Sequence, residues 1–184
     1  MAPLNLSDML RSAERNLEDS LRHFEQTTPG LAQEIVDLKL QSCIFHYDIC
    51  REMVAFCRNK PRGFAASVAL KGLVLQVYEY DDLINRHQIQ RLLALASARG
   101  IPYDRESVRA ARYQWKAELA RLKRWKDVRN QAAGHYGTDL KKQVSLLKEI
   151  NEAEVMTVVR AFLSFNMSLV VGLRDAGQGV AGEA

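Results

Sequence analysis

The residues best equipped for chemistry stand together in one stretch, Trp125-Lys126-Asp127-Val128-Arg129-Asn130-Gln131-Ala132-Ala133-Gly134-His135-Tyr136. A guanidinium can bridge two phosphate oxygens and stabilise charge that builds on them. An imidazole titrates near ~6.5, so it can take or give a proton close to neutral pH. Arg129 and His135 supply these two groups, and Asn130 adds a neutral donor and acceptor beside them. On a helical wheel Arg129 falls on the same face as Val108, Ala111, Trp115, Leu119 and Leu122. An arginine on an inward stripe needs a carboxylate, a carbonyl or a bound phosphate as its partner. Glu79, Asp81 and Asp82 are candidate carboxylates, though the sequence does not place them. Gly134 ends the helix just before His135, which lets the imidazole turn back toward the arginine.

The surrounding charge suits a polyanion. Between Arg105 and Arg129 nine basic residues face only Glu106, Glu118 and Asp127, a local charge of +6 in a chain of net +4. Arg121, Lys123, Arg124 and Lys126 are placed to hold phosphates flanking the Arg129 site, and Tyr136 to touch the same substrate. The aromatics Tyr113, Trp115 and Trp125 interleave with this basic strip. Other chemistries lack their signatures: there is no phosphate-binding glycine loop, GxSxG, HExxH, CxxC or EF-hand loop. Cys43, Cys50 and Cys57 stand seven residues apart, too far for a zinc pair or an intrahelical disulfide, and are expected to be thiols on one helix face. No metal and no cofactor is expected. His23 and His87 are expected on the surface, and His46, beside a packed seam, in a structural role.

The string Arg129-Asn130-Gln131-Ala132-Ala133-Gly134-His135 resembles the signature of the HEPN superfamily of helical nucleotide- and RNA-associated domains. In that family an Arg and a polar residue precede a His by a short gap. Here five residues separate Arg129 from His135, and the polar residue is Asn130. The motif follows a long helix and precedes an apolar one, as in that family, and the overall pattern is similar to its abortive-infection and toxin members. A toxin subgroup has a gap of four and a Tyr two residues after the His; this chain instead has Tyr136 immediately after His135. The resemblance implies a metal-independent endoribonuclease of a toxin or anti-phage defence system. The substrate's own 2′-OH would be the nucleophile, and the site would form at the interface of a homodimer. An antitoxin or nucleotidyltransferase partner also belongs to such systems. Two other classes stay open: a non-catalytic nucleotide- or RNA-binding module, and a helical protein-interaction domain.

The elements that must hold this motif are all helices. The chain has 184 residues, 47% hydrophobic and 26% charged, with only 10 Gly and 4 Pro. That is one ordinary globular domain with too little turn chemistry for a many-stranded β fold. Apolar residues recur every three to four positions almost throughout. The pattern predicts an all-α, single-domain bundle of five or six helices over 1–175 and a flexible, disordered tail over 176–184. A first helix starts near Ser7, a possible N-cap, and a second over 31–58 carries two apolar stripes. One stripe is Ile35, Leu38, Phe45, Ile49 and Phe56; the other is Val36, Leu40, Cys43, Tyr47, Cys50, Val54 and Cys57. Such a helix is central to a bundle or lies at a dimer interface. A third helical region over 64–99 has a kink or division expected near Asp81-Asp82 or Asn85. Asp104 caps a fourth helix, Thr138 or Asp139 a short fifth, and Asn151 with Glu154 a last one reaching about Arg174. The apolar run from Val155 to Leu173 is interrupted by Arg160 and Asn166, so a buried core helix is expected rather than a membrane span. The first 25 residues hold no apolar signal-peptide core, and a cytoplasmic location without a membrane partner is expected.

Overall fold

A computed structural model describes residues 6–133 and 139–182. All elements among the described residues are helical, and no strand occurs there. Helix α1 (Leu6–Gln26) and helix α2 (Leu31–Asn59) form a hairpin. α1 is sharply two-faced: Ala13 and Ser20 are buried, whereas Arg11, Glu14 and Arg22 are in solvent. Ser7 already lies inside α1 and is not its cap. The seam with α2 is close, with Ser20 Oγ 3.2 Å from Cys43 Sγ. α1 thus packs along α2 beside Cys43, while Val36, Leu40, Tyr47, Val54 and Cys57 of the outer stripe are half-buried. All three cysteines are free thiols, and burial pushes Cys50 up to about 11.

α2 ends where Lys60 takes a left-handed conformation (φ 48°) and donates its N–H to the Phe56 carbonyl at 2.9 Å. Helices α3 (Phe64–Leu83) and α4 (Ile89–Ala98) are joined by a π turn, Ile84–Gln88, which divides the third helical region close to the expected place. The extra residue in that turn brings both Ile84 and Gln88 inward. Gln88 Nε2 donates to Tyr80 Oη at 2.9 Å and to Gln41 Oε1 at 3.0 Å. Tyr80 stacks on Phe45 with ring centroids 3.8 Å apart, and burial pushes its hydroxyl up to about 12. Gly100, at φ 65°, ends the segment, as the Gly-x-Pro spelling anticipates.

Asp104 caps helix α5 (Arg105–Tyr113) in a reciprocal capping box with Ser107. The expected long fourth helix is instead segmented. α5 breaks at Trp115 and is followed by α6 (Lys116–Leu119), a 3-10 turn (Ala120–Arg124), α7 (Trp125–Val128) and a π turn (Arg129–Ala133). Asp139 caps helix α8 (Leu140–Lys148) by accepting from Lys142 N at 3.0 Å. Asn151 Oδ1 accepts from Glu154 N at 2.9 Å at the start of helix α9 (Glu152–Gly182). Seven of these α-helices have nine residues or more, against an expectation of five or six; the π turn at Ile84 makes much of the difference.

α9 is the spine of the core. Val155, Val158, Phe162, Phe165 and Leu169 are buried on it, each contributing roughly 1.5–3 kcal/mol of transfer free energy. Among the described residues it is the helix long and apolar enough to cross a membrane (Glu152–Ala176, mean hydropathy 1.6), yet 56% of that window is buried inside the fold. Of its two interrupting polar residues, Arg160 reaches solvent and Asn166 is buried, donating to Ser42 Oγ at 2.7 Å. α9 also runs on to Gly182, past Arg174 and through most of the segment expected to be a disordered tail. Gly177 and Gly179, inside this extension, cost about 1 kcal/mol each and Gly182 ends it, but no proline intervenes, and extending an anchored helix avoids the cost of a new nucleus. Residues 183–184 lie outside the described residues.

Candidate functional site

Arg129 opens the π turn that follows α7. Its position reflects the 3-10 turn just before it. On a regular wheel Trp125 would stand about 120° from Leu119, but a 3-10 turn advances about 120° per residue instead of about 100°. Leu119, Leu122 and Trp125 therefore fall in line at three-residue intervals, and Val128 follows; all four are buried. Arg129 comes to the edge of that line, half-buried, rather than pointing squarely inward. The same rotation corrects the reading of the aromatics. Trp125 is a core residue and Trp115 is half-buried, whereas Tyr113 stays exposed.

The three candidate carboxylates separate cleanly. Glu79 on α3 faces Arg129, with Oε1 3.8 Å from Nε and both side chains about half exposed (53% and 42%). Asp81 instead holds Arg112 in a two-pronged contact at 2.9 and 3.3 Å. Asp82 pairs with Arg86 at 2.8 Å. An exposed ion pair at Arg129's distance is worth ~0–1 kcal/mol. Arg129 also donates from Nη1 to Asn130 Oδ1 at 3.1 Å. Its guanidinium is thus oriented by two weak partners and open to solvent, where a bound anion can compete for it.

The turn itself is tied down from α8. Gln143, buried four residues before the buried Leu147, donates from Nε2 to the Ala132 carbonyl at 3.4 Å. Sequence reasoning passed over Gln143; a polar residue on the inner face of α8 was its signal. Asn130, Lys123, Arg124 and Lys126 are exposed and Arg121 is half-buried, so these side chains share the rim of the segment that carries Arg129. His135 and Tyr136 lie outside the described residues. No cluster of three or more His, Cys, Asp or Glu side chains suited to a metal occurs among the described residues.

The remaining histidines do not join Arg129 in any observed contact. His23 and His87 are exposed, and His46 is half-buried with Nδ1 unpartnered, its pKa lowered by burial. Two surface depressions lie elsewhere: one on the charged face of α1, and one of about 420 Å³ between Leu93, Ser97, Tyr103 and Arg105. Neither is lined by Arg129. Compared with known family models, curated proteins and solved structures, the chain matches none.

Proposed function

We propose that this chain is a metal-independent endoribonuclease of HEPN type, acting in a toxin or anti-phage defence setting in the cytoplasm. Arg129 and His135 are its reacting pair, and Asn130 supports them. The observation that carries the reading is Arg129 itself: an arginine at the head of a π turn, half exposed, and held among the described residues by Glu79 at 3.8 Å and Asn130 at 3.1 Å. A structural arginine on this face would be locked as Arg112 is. π turns also concentrate at functional sites.

The chemistry needs few groups. The 2′-oxygen of the RNA attacks the adjacent phosphorus as a base takes its proton. The 5′-oxygen leaves and takes a proton from an acid. The products are a 2′,3′-cyclic phosphate and a 5′-hydroxyl. Arg129 neutralises charge on the non-bridging oxygens, and His135 serves in proton transfer. One imidazole cannot readily be base and acid in one step, so two copies of the chain across a two-fold axis would divide the roles. Lys123, Arg124 and Lys126, all exposed, with Arg121, hold the flanking phosphates. Tyr136 contacts the same substrate, and an antitoxin or nucleotidyltransferase is the partner that would restrain the activity.

The test is cleavage of cellular RNA in EDTA by the wild type, Arg129→Ala and His135→Ala. The wild type is expected to leave cyclic phosphate ends, and both variants to lose at least about a hundredfold in rate. Cleavage that chelation abolishes, or that survives in His135→Ala, overturns the mechanism. The exposed Lys123, Arg124 and Lys126 also favour a second reading, a non-catalytic RNA-binding module. It requires salt-dependent RNA binding without turnover, weakened by charge reversal at Arg121, Lys123 and Arg124.

A further inference from the structure

Tyr113 is 71% exposed, more than any other large hydrophobic side chain on the described surface. It is the last residue of α5, at the corner where the helix breaks before Trp115. Its neighbour Arg112 is clamped by Asp81, and the Arg112 guanidinium carbon lies 5.1 Å from the Phe165 ring centre. The backbone that carries Tyr113 is therefore anchored to both α3 and α9, so the ring's exposure is not that of a loose end. Lys116 Nζ stands 5.3 Å from the Tyr113 ring centre and covers one face of it. Among the described residues no other ring or cation is found against it. Arg112 and Arg129 reach α3 two residues apart, at Asp81 and Glu79. Glu79 and Asp81 stand about 200° apart around α3, so the two arginines meet it on different sides; Tyr113 and Arg129 share the chain segment of charge +6.

We propose that Tyr113 is a base-stacking platform, which makes this basic segment a reader of single-stranded RNA rather than duplex. The inference rests on the RNA-directed reading above and deepens it by naming the form of RNA taken. In a duplex the base faces are covered by their neighbours. An unpaired base presents a free face that stacks on an aromatic ring. Lys116, already on one side of the ring, neutralises the phosphate that accompanies the stacked base. A surface built for duplex would need only the cations, since an exposed tyrosine ring finds nothing to stack on there.

The test uses the full chain and a short fluorescein-labelled 2′-O-methyl oligoadenylate, alone and annealed to its complement. Lacking a free 2′-OH, this probe cannot be cut by the proposed chemistry, so binding is read apart from turnover. The wild type is expected to bind the single strand more tightly than the duplex. Tyr113→Ala should lose about tenfold or more on the single strand with the duplex unchanged, and Tyr113→Trp should keep the preference. Equal affinity of the wild type for both forms overturns the proposal, as does a Tyr113→Ala loss below about twofold or one shared by both forms. Selective single-strand binding by a wild type that cuts no unmodified RNA would refute the ribonuclease reading and leave the platform standing. Cleavage with unselective binding would do the reverse.

Discussion

Replacing Arg112 by alanine should destabilise the fold far more than it weakens RNA binding. By sequence Arg112 is one of nine cations on the basic segment; in the structure it belongs to the core's edge. Its side chain is 33% exposed and that of its partner Asp81 only 17%. The contact is two-pronged, at 2.9 and 3.3 Å, and the guanidinium lies over Phe165. Breaking a fully buried pair costs roughly 3–5 kcal/mol, and an exposed pair is worth ~0–1 kcal/mol. Partial exposure screens the charges, so about 2 kcal/mol is expected, much of it from stranding Asp81 without its cation. With a urea m-value of about 2 kcal/mol/M, the midpoint should fall by about 1 M. Arg112→Lys keeps the charge but not the planar fork, and should lose roughly half as much. In a double-mutant cycle with Asp81→Asn, the second substitution should cost little once the first is made, because the orphaned charge is gone. RNA affinity of Arg112→Ala should stay within about twofold of wild type at fixed salt. A midpoint shift below about 0.2 M, or an RNA-binding loss as large as that of Lys123→Glu, would refute the assignment.

Other expectations follow from particular contacts. Burial holds the His46 pKa below 6.5, so the folded state favours neutral imidazole. Its contribution is fully present above that value and is lost as pH falls through the lowered folded pKa. His46→Leu should therefore shrink the loss of urea midpoint between about pH 7.5 and pH 5; an unchanged slope would show the imidazole is not the titrating group. The two central-helix glycines should part company. An added Cβ at Gly72 meets nothing within 4 Å, so Gly72→Ala should stabilise by about 1 kcal/mol. At Gly172 the Cβ would stand 3.0 Å from Cε2 of Tyr103, a buried ring, so Gly172→Ala should gain nothing or lose stability by thermal denaturation. Lys60, at φ 48°, carries the left-handed strain that glycine relieves, and Lys60→Gly should raise stability by roughly 0.5–1 kcal/mol in the same assay.

The parts of the fold legible from sequence are those whose signals are local. Asp104, Asp139 and Asn151 each cap the helix they were expected to cap, because a short oxygen-bearing side chain can accept the orphan N–H groups of its own helix whatever lies beyond. The end at Gly100 follows from glycine's freedom at positive φ in the same way. Packing was legible only where the period stayed regular. The two stripes of α2 were evident, but whether a second copy or another helix covers the outer one depends on the path of α1. α1 meets that stripe at Cys43 through Ser20, and Val36, Leu40, Tyr47, Val54 and Cys57 stay half-buried.

The site was misread where the helical period itself changes. A wheel drawn at one fixed angle aligned Arg129 with Leu122, and Trp125 was counted among the aromatics of the basic strip. The 3-10 turn exchanges those roles, burying Trp125 and Val128 and carrying Arg129 to the rim. No residue between Ala120 and Arg124 announces that turn, since Ala, Arg, Leu and Lys are all good α-helix formers. The large indole of Trp125 supplies a reason: tightening five residues costs hydrogen-bond geometry, whereas an exposed indole would forfeit the burial of one of the largest apolar side chains. The consequence reaches the chemistry. An arginine driven fully inward would have been saturated by a carboxylate, as Arg112 is by Asp81. At the rim Arg129 has, among the described residues, a 3.8 Å approach to Glu79 and a hydrogen bond to Asn130, and its guanidinium can turn to an incoming phosphate without stranding a buried charge.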